Sequence, residues 1–362
     1  MLKKCLLLAL LSLGISSFSY ADSNDLYIMN WSDYIAPDTI ENFEKETGIK
    51  VHYSLIDSNE MLEAKLMAGN SGYDIITPSL HVLKRLSDAG LLLELDKTKL
   101  PNLQHLDKDK MAKIAKVDKD NTFGIPYMEL STGIGYNERL IKEIMGNDFK
   151  VDSWDVFFKP EILSKLNKCG ATVLDSPSDM ICTALIYLNK DPQSTNKNDY
   201  KEAEKLLKTM IQNVTYMHSS QYANDLAGGE VCISVGWSGD IQLANQRSQE
   251  AGLDAIKYVI PKEGALMGYD MFAIPKDARN VNNAHLFLDY IMRPDVIADI
   301  SNYVRYANAN ADATQFVDKE ITDNPGIYYP KEMLERMHIV IPPNGIERTL
   351  TKTWNRVRAS AE

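Results

Sequence analysis

Four short stretches bring together residue types that could do chemistry. They are Trp31-Ser32-Asp33-Tyr34, Gly236-Trp237-Ser238-Gly239-Asp240, Gly268-Tyr269-Asp270 and the tyrosine- and asparagine-rich run Tyr303 to Asn310. Each has a plain structural alternative: Trp31 as core, Asp33 as the cap of the next helix, a strand-end aspartate, a surface tyrosine. Together they offer carboxylates and aromatic faces from both halves of the chain, without a matching set of bases and nucleophiles. That pattern suits binding more than turnover. An alkyl ammonium ion needs a carboxylate at each charged end, because a desolvated ammonium must be paired. It also gains from aromatic faces, each cation–π contact contributing roughly 0.5–2 kcal/mol. Two carboxylates held apart would measure the length of a diamine. The enzymatic alternative rests on Ser238, since Gly236 to Asp240 nearly spells the hydrolase elbow G-x-S-x-G. Asp240 stands where that strained turn needs a small residue, which argues against it.

The elements around these stretches read as alternating strand and helix. Strands are predicted at Leu26 to Asn30, Ile49 to Ile56 and Asp74 to Thr77, and helices at Asp38 to Thr47, Asn59 to Ala68 and His81 to Ala89. Gly48, Gly69 and Gly90 supply the helix stops. A second series follows, with strands near Ala171 to Leu174 and Val231 to Val235, and helices near Ile181 to Leu188 and Tyr200 to Ile211. Such alternation predicts βαβ units and parallel sheets, with ligands gathering at the carboxyl ends of the strands. Trp31 to Tyr34 and Pro78-Ser79 lie at such ends. The chain is expected to cross between the halves at Ser131 to Tyr136, which carries two glycines, and again near Pro261 to Gly264.

Composition agrees with two halves. The chain has 362 residues, 44% hydrophobic and 25% charged, which is globular and longer than one core of ~250–300 residues usually serves. Lys+Arg 39 against Asp+Glu 50 gives a net charge of -11. An acidic chain is a poor partner for nucleic acid, whose affinity comes from cations on the protein. Residues 1–21 combine Lys3 and Lys4, an apolar run from Cys5 to Ile15, and Ser19 and Ala21 at −3 and −1 of a cleavage point, which is the pattern of a secretory leader. The apolar run is too short to span a bilayer, so a soluble exported protein is expected. Past the leader, Cys169, Cys182 and Cys232 remain. In an oxidising compartment three cysteines fit one bridge and one buried thiol, or three free thiols. Cys182, inside a helical run, reads as a small core residue. No CxxC pair or HExxH is present, so no metal site is expected.

Several longer stretches then resemble one family. Asn30 to Pro37, Thr132 to Asn137, His218 to Tyr222, Ile260 to Gly264 and Tyr306 to Asn310 are similar, in the same order, to bacterial periplasmic polyamine-binding proteins of ABC importers, nearest the putrescine-binding branch. The resemblance implies an α/β fold of the two-lobed periplasmic-binding-protein type (type II). Its lobes are discontinuous, with residues 22–132 and 262–305 in the first and 133–261 and 306–362 in the second, and the ligand cleft lies at the hinge. It implies a pocket formed by Trp31, Ser32, Asp33, Tyr34, Ser79, Asp179, Trp237, Asp240, Asp270 and Tyr306, with Tyr269 and Ser176 as further candidates. It also implies a bridge between Cys169 and Cys232, a periplasmic monomer without catalytic residues, cofactor or metal, and a polyamine ligand. The membrane partner would be an ABC permease or, in the alternative reading, a membrane signalling protein to which a polyamine sensor docks. Three departures from the family pattern stand out. Asp179 replaces the usual glutamate, so it would reach an amine only through water. Gly268 stands where an aromatic usually closes one wall. Ser176 replaces an aspartate of spermidine-selective relatives, which with Asp240 favours a diamine over spermidine.

Overall fold

The structure is a computed structural model and describes residues 24–343 and 345–361; the leader expected at 1–21 lies outside them. The first βα series folds as read. β1 (Asp25–Trp31) lies between β2 (Lys50–Ile56) and β3 (Ile75–Ile76), all parallel. Helices Thr39–Thr47, Asn59–Met67 and Leu80–Asp88 follow the three strands in turn. Gly48 stops the first of these helices at φ 73, where its N–H reaches the Glu44 carbonyl at 2.8 Å. That left-handed cap costs glycine little and most other residues more. Ser58 caps the second helix by accepting from the Met61 N–H.

β4 (Gly124–Asn137) is a single 14-residue strand that holds the expected crossing. Beyond it β5 (Ala171–Val173), β6 (Tyr216–Met217) and β7 (Ile233–Trp237) form a second parallel set. β7 begins two residues later than predicted and includes Trp237, because the Val231 and Cys232 N–H groups turn to the carbonyls of Asp225 and Gly170. β8 (Ile256–Val259) and β9 (Ala265–Ala273) come next, then β10 (Ala307–Asn308) and β11 (Met337–Ile339). The path through the sheet is β2-β1-β3-β9-β4-β7-β5-β6. β9 and β4 run antiparallel to each other and join the two parallel halves. The second crossing is therefore β9, which starts directly after Pro261 to Gly264.

Two cores fill the two halves. One gathers Leu26, Ile28, Phe43, Ile125, Phe272 and Phe287; the other gathers Ile134, Trp154, Ile181, Leu207, Ile233 and Trp354. Val304, Tyr306, Ala313, Ile321 and Ile327 pack in the first core, and only Ile346, Leu350, Trp354 and Val357 return to the second. Residues of 306–327 thus pack with the first core, whereas the resemblance implies a lobe boundary at 306. Cys169 and Cys232 form a disulfide with Cα atoms 5.5 Å apart, and Cys182 is a buried free thiol. Closing a loop over the sequence separation of 63 stabilises the fold by about 4 kcal/mol in the chain-entropy account. No helix among the described residues is long and apolar enough to cross a membrane.

Candidate functional site

A cleft lies between the two cores, floored by β4 and β9. Asp270 lines it from the interior of β9 and not from the opening of that strand. Its side chain faces the cleft, and Tyr269 beside it, 1% exposed, packs with Leu80 and Met271 while also bordering the cleft. Ser79 Oγ donates to Asp270 Oδ1 at 2.8 Å, and Tyr34 Oη donates to Oδ2 at 2.8 Å. Ser79 occupies the N-cap position of helix Leu80–Asp88, yet its hydroxyl makes no cap bond and goes to the carboxylate. Tyr34 is fixed from behind by Tyr127, whose hydroxyl donates to the Tyr34 carbonyl and whose ring meets it edge-on. Burial lifts the Asp270 carboxyl to about 6 against the pull of these two hydroxyls, and the charges of Asp179 and Asp240 add to the rise.

Asp240 lines the same cleft from the first turn of helix Ser238–Glu250. Tyr306 Oη donates to its Oδ1 and Tyr222 Oη to its Oδ2, both at 2.8 Å. The approach of Tyr306 depends on Gly239, where a Cβ would sit 2.1 Å from the tyrosine ring. Burial again raises the carboxyl pKa, opposed by the two phenols. Each carboxylate thus receives one hydroxyl on each oxygen and keeps about half its acceptor capacity. Among the described residues, neither Asp240, Asp270 nor Asp179 forms an ion pair with a lysine or arginine.

Asp179 is more fully engaged. It accepts from Thr132 Oγ1 at 2.5 Å, Ser176 Oγ at 2.6 Å and Trp237 Nε1 at 3.4 Å. Ser176 in turn caps helix Pro177–Tyr187, so the pair is partly a helix-start device. Trp31, Ser32, Tyr34, Trp237 and Tyr306 line the same cleft. Trp237 touches both cores. Asp33 does not line it. Its backbone sits at φ 51, its side chain is 53% exposed, and it pairs with Arg247 Nη2 at 2.9 Å across the rim. It is not the cap of the following helix either, since Asp38 holds that position.

Sequence reasoning passed over Tyr222, Thr132 and His81. Tyr222 and His81 both sit on helices, where an aromatic ring reads as core packing; only the Tyr222 bond to Asp240 reveals a second task. His81 lines the cleft, and burial holds its imidazole near 3, hence neutral. Ser238, the one serine with a hydrolase-like context, is 2% exposed. Its Oγ accepts from the Ser131 N–H and from Tyr329 Oη, so no base activates it.

Comparison with known proteins places this geometry. The profile of bacterial extracellular solute-binding proteins matches residues 38–328. The chain is 47% identical over 355 residues to the putrescine-binding periplasmic protein PotF of Escherichia coli K12, covering 97% of this chain and 95% of that protein. It is 44% identical over 341 residues to the putrescine-binding periplasmic protein SpuD of Pseudomonas aeruginosa UCBPP-PA14, covering 94% and 93%. Among solved structures, a putative spermidine/putrescine ABC transporter protein from Listeria monocytogenes superposes with TM-score 0.84 at 31% identity, over 93% of this chain and 99% of that one. The two parallel half-sheets joined by β4 and β9 are the type II periplasmic-binding-protein architecture shared with these neighbours. These proteins bind solutes and carry out no covalent chemistry, which also disposes of the hydrolase alternative at Ser238. The chain belongs to the bacterial extracellular solute-binding proteins.

Proposed function

We propose that this protein captures a short diamine, putrescine first among them, in the periplasm and delivers it to the membrane permease of an ABC importer. The single observation that carries the ligand class is the pair Asp240 and Asp270. Asp270 is buried and Asp240 half-buried on one cleft, each braced by two hydroxyls and neither in an ion pair with a lysine or arginine among the described residues. A buried carboxylate with spare acceptors is satisfied by a charged N–H donor, and such charge-assisted bonds contribute about 1.5–3 kcal/mol each. One ammonium rests at Asp270 and the other at Asp240. The methylenes between them lie against the aromatic faces of Trp31, Trp237 and Tyr306, with Ser32 on the same wall. Asp179 orders water at the side of the chain, and Asp33 acts through Arg247 on the rim without touching the amine.

The putrescine-binding relatives support putrescine as the amine, and their periplasmic location supports export through a leader cleaved after Ala21. Closure of the two lobes shields the ion pairs from water; the closed, loaded monomer is the species the permease recognises. The test is calorimetry of the mature chain against putrescine, cadaverine, agmatine, spermidine, norspermidine and spermine. Tightest binding is expected for a diamine at one site per chain. Binding of none of these amines, or a clear preference for spermine, overturns the reading.

A further inference from the structure

The face of β9 that carries Asp270 continues through Gly268 to Leu266, and all three line the cleft. This row spans about 13 Å and changes character along its length. Asp270 is the charged end. At Gly268 a built Cβ meets no atom within 4 Å, so the wall opens there into free space that a side chain would otherwise occupy. Leu266 is packed with Cys182, Ile186 and Val340. Ile339 and Ile341, in and after β11, close the same side of the cleft. The opening is therefore an arm with apolar walls at Leu266, Ile339 and Ile341, continuous with the Asp270 anchor, with Asp179, bonded to the Thr132 that pairs with Leu266, as the carboxylate beside it. The adjacent Tyr269 borders the cleft but does not fill the space at Gly268, since its side chain is 1% exposed and packed with Met271 and Leu80. The neutral imidazole of His81 lines the cleft nearby without a hydrogen-bond partner among the described residues, and it adds no charge that would exclude an apolar group.

An unsubstituted four-carbon diamine stretched between Asp270 and Asp240 leaves this arm empty. We propose that the cleft also takes diamines bearing a bulky apolar substituent, an arylalkyl group on one nitrogen, with the substituent seated in the arm at Gly268 and the secondary ammonium held at Asp270. An N-substituted amine keeps its positive charge and at least one N–H, so the carboxylate pairing survives substitution. This inference rests on the diamine reading and extends it to a ligand class that an ordinary closed wall would reject by overlap.

The test is calorimetry of the mature chain with putrescine and the series N-methyl-, N-butyl- and N-benzylputrescine, repeated on Gly268→Leu. N-benzylputrescine is expected to bind wild type within about tenfold of putrescine, with no loss along the series, because the apolar area buried offsets the cost of ordering the group. In Gly268→Leu the affinity ratio of N-benzylputrescine to putrescine is expected to fall by at least about thirtyfold. A steady decline along the series in wild type, ending more than about a hundredfold below putrescine, overturns the arm whether or not the variant folds. An unchanged ratio in a folded Gly268→Leu protein overturns it as well. If putrescine itself fails to bind while N-benzylputrescine binds, the diamine reading fails and the arm stands. If neither binds, both fall.

Discussion

The two carboxylates of the cleft are built alike and wired differently. Asp270 takes its braces, Ser79 and Tyr34, from its own half: β9 and the loop after β1 pack in the first core, and the helix after β3 packs in the cluster of Met29, Ile56 and Met271 beside it. Asp240 begins a helix of the second half, and one brace, Tyr222, belongs to that half. Its other brace, Tyr306, is 4% exposed in the first core and meets Tyr34 edge-on at 5.2 Å. The Asp270 end is thus complete within one lobe, whereas the Asp240 end is complete only when the lobes are together. The first is an anchor that exists before closure. In the proposed function the second would report closure.

Removing either charge has the largest effect. Asp270→Asn and Asp240→Asn should each weaken putrescine binding by at least about a hundredfold, since an ammonium buried without its carboxylate costs roughly 3 kcal/mol or more. Wild-type affinity for either variant by calorimetry breaks the symmetry between the ends. Acid comes next. Because burial raises Asp270 to about 6 and Asp240 in the same direction, protons compete with the amine below that point. Affinity should be flat from pH 7 to 8 and fall below pH 6, by up to about tenfold per pH unit for each carboxylate protonated. The sign for stability is opposite. A raised carboxyl pKa means the folded, empty cleft holds its proton more tightly than the unfolded chain. Acidification from pH 7 to 5 therefore stabilises the empty protein through this group while weakening the ligand. The gap between loaded and empty Tm should narrow over that range in scanning calorimetry, and a constant gap contradicts the assignment.

The braces sharpen the contrast between the ends. Tyr306→Phe and Ser79→Ala each remove one hydrogen bond to a carboxylate, and each should cost about tenfold in affinity. Only Tyr306→Phe should also reduce the contraction on putrescine seen by solution X-ray scattering. Equal contraction in both variants would show that the Asp240 end does not depend on the first lobe. Arg247→Ala should have the smallest effect, about two- to threefold and mostly in the dissociation rate by stopped flow, because an exposed ion pair contributes below about 1 kcal/mol.

Much of this site was legible in the sequence. Trp31, Tyr34, Ser79, Trp237 and Asp240 sit at the ends of strands or the starts of helices, where parallel βα units collect ligands, and their types declare the chemistry. Asp33 sits off the cleft lining for a local reason. At φ 51 its side chain leaves the direction of its neighbours, and residue order in a loop carries no record of that turn. Tyr222 looked like helix packing because an amphipathic helix buries its aromatic ring whether or not the hydroxyl has a partner. The packing of residues 306–327 is decided at long range. Nothing local in residues 306–327 announces that Ala313, Ile321 and Ile327 complete the first core. The freedom at Gly268 is likewise invisible until β11 and its following segment are placed opposite it.

The central claim is two-ended recognition, and putrescine against n-butylamine tests it most directly, since the two share a four-carbon chain and differ by one ammonium. Calorimetry at pH 7.5 should give putrescine an advantage of at least about a hundredfold, the worth of one buried, hydroxyl-braced carboxylate finding its cation. Equal affinity for the two amines would mean that only one end of the cleft recognises charge, and would contradict the account.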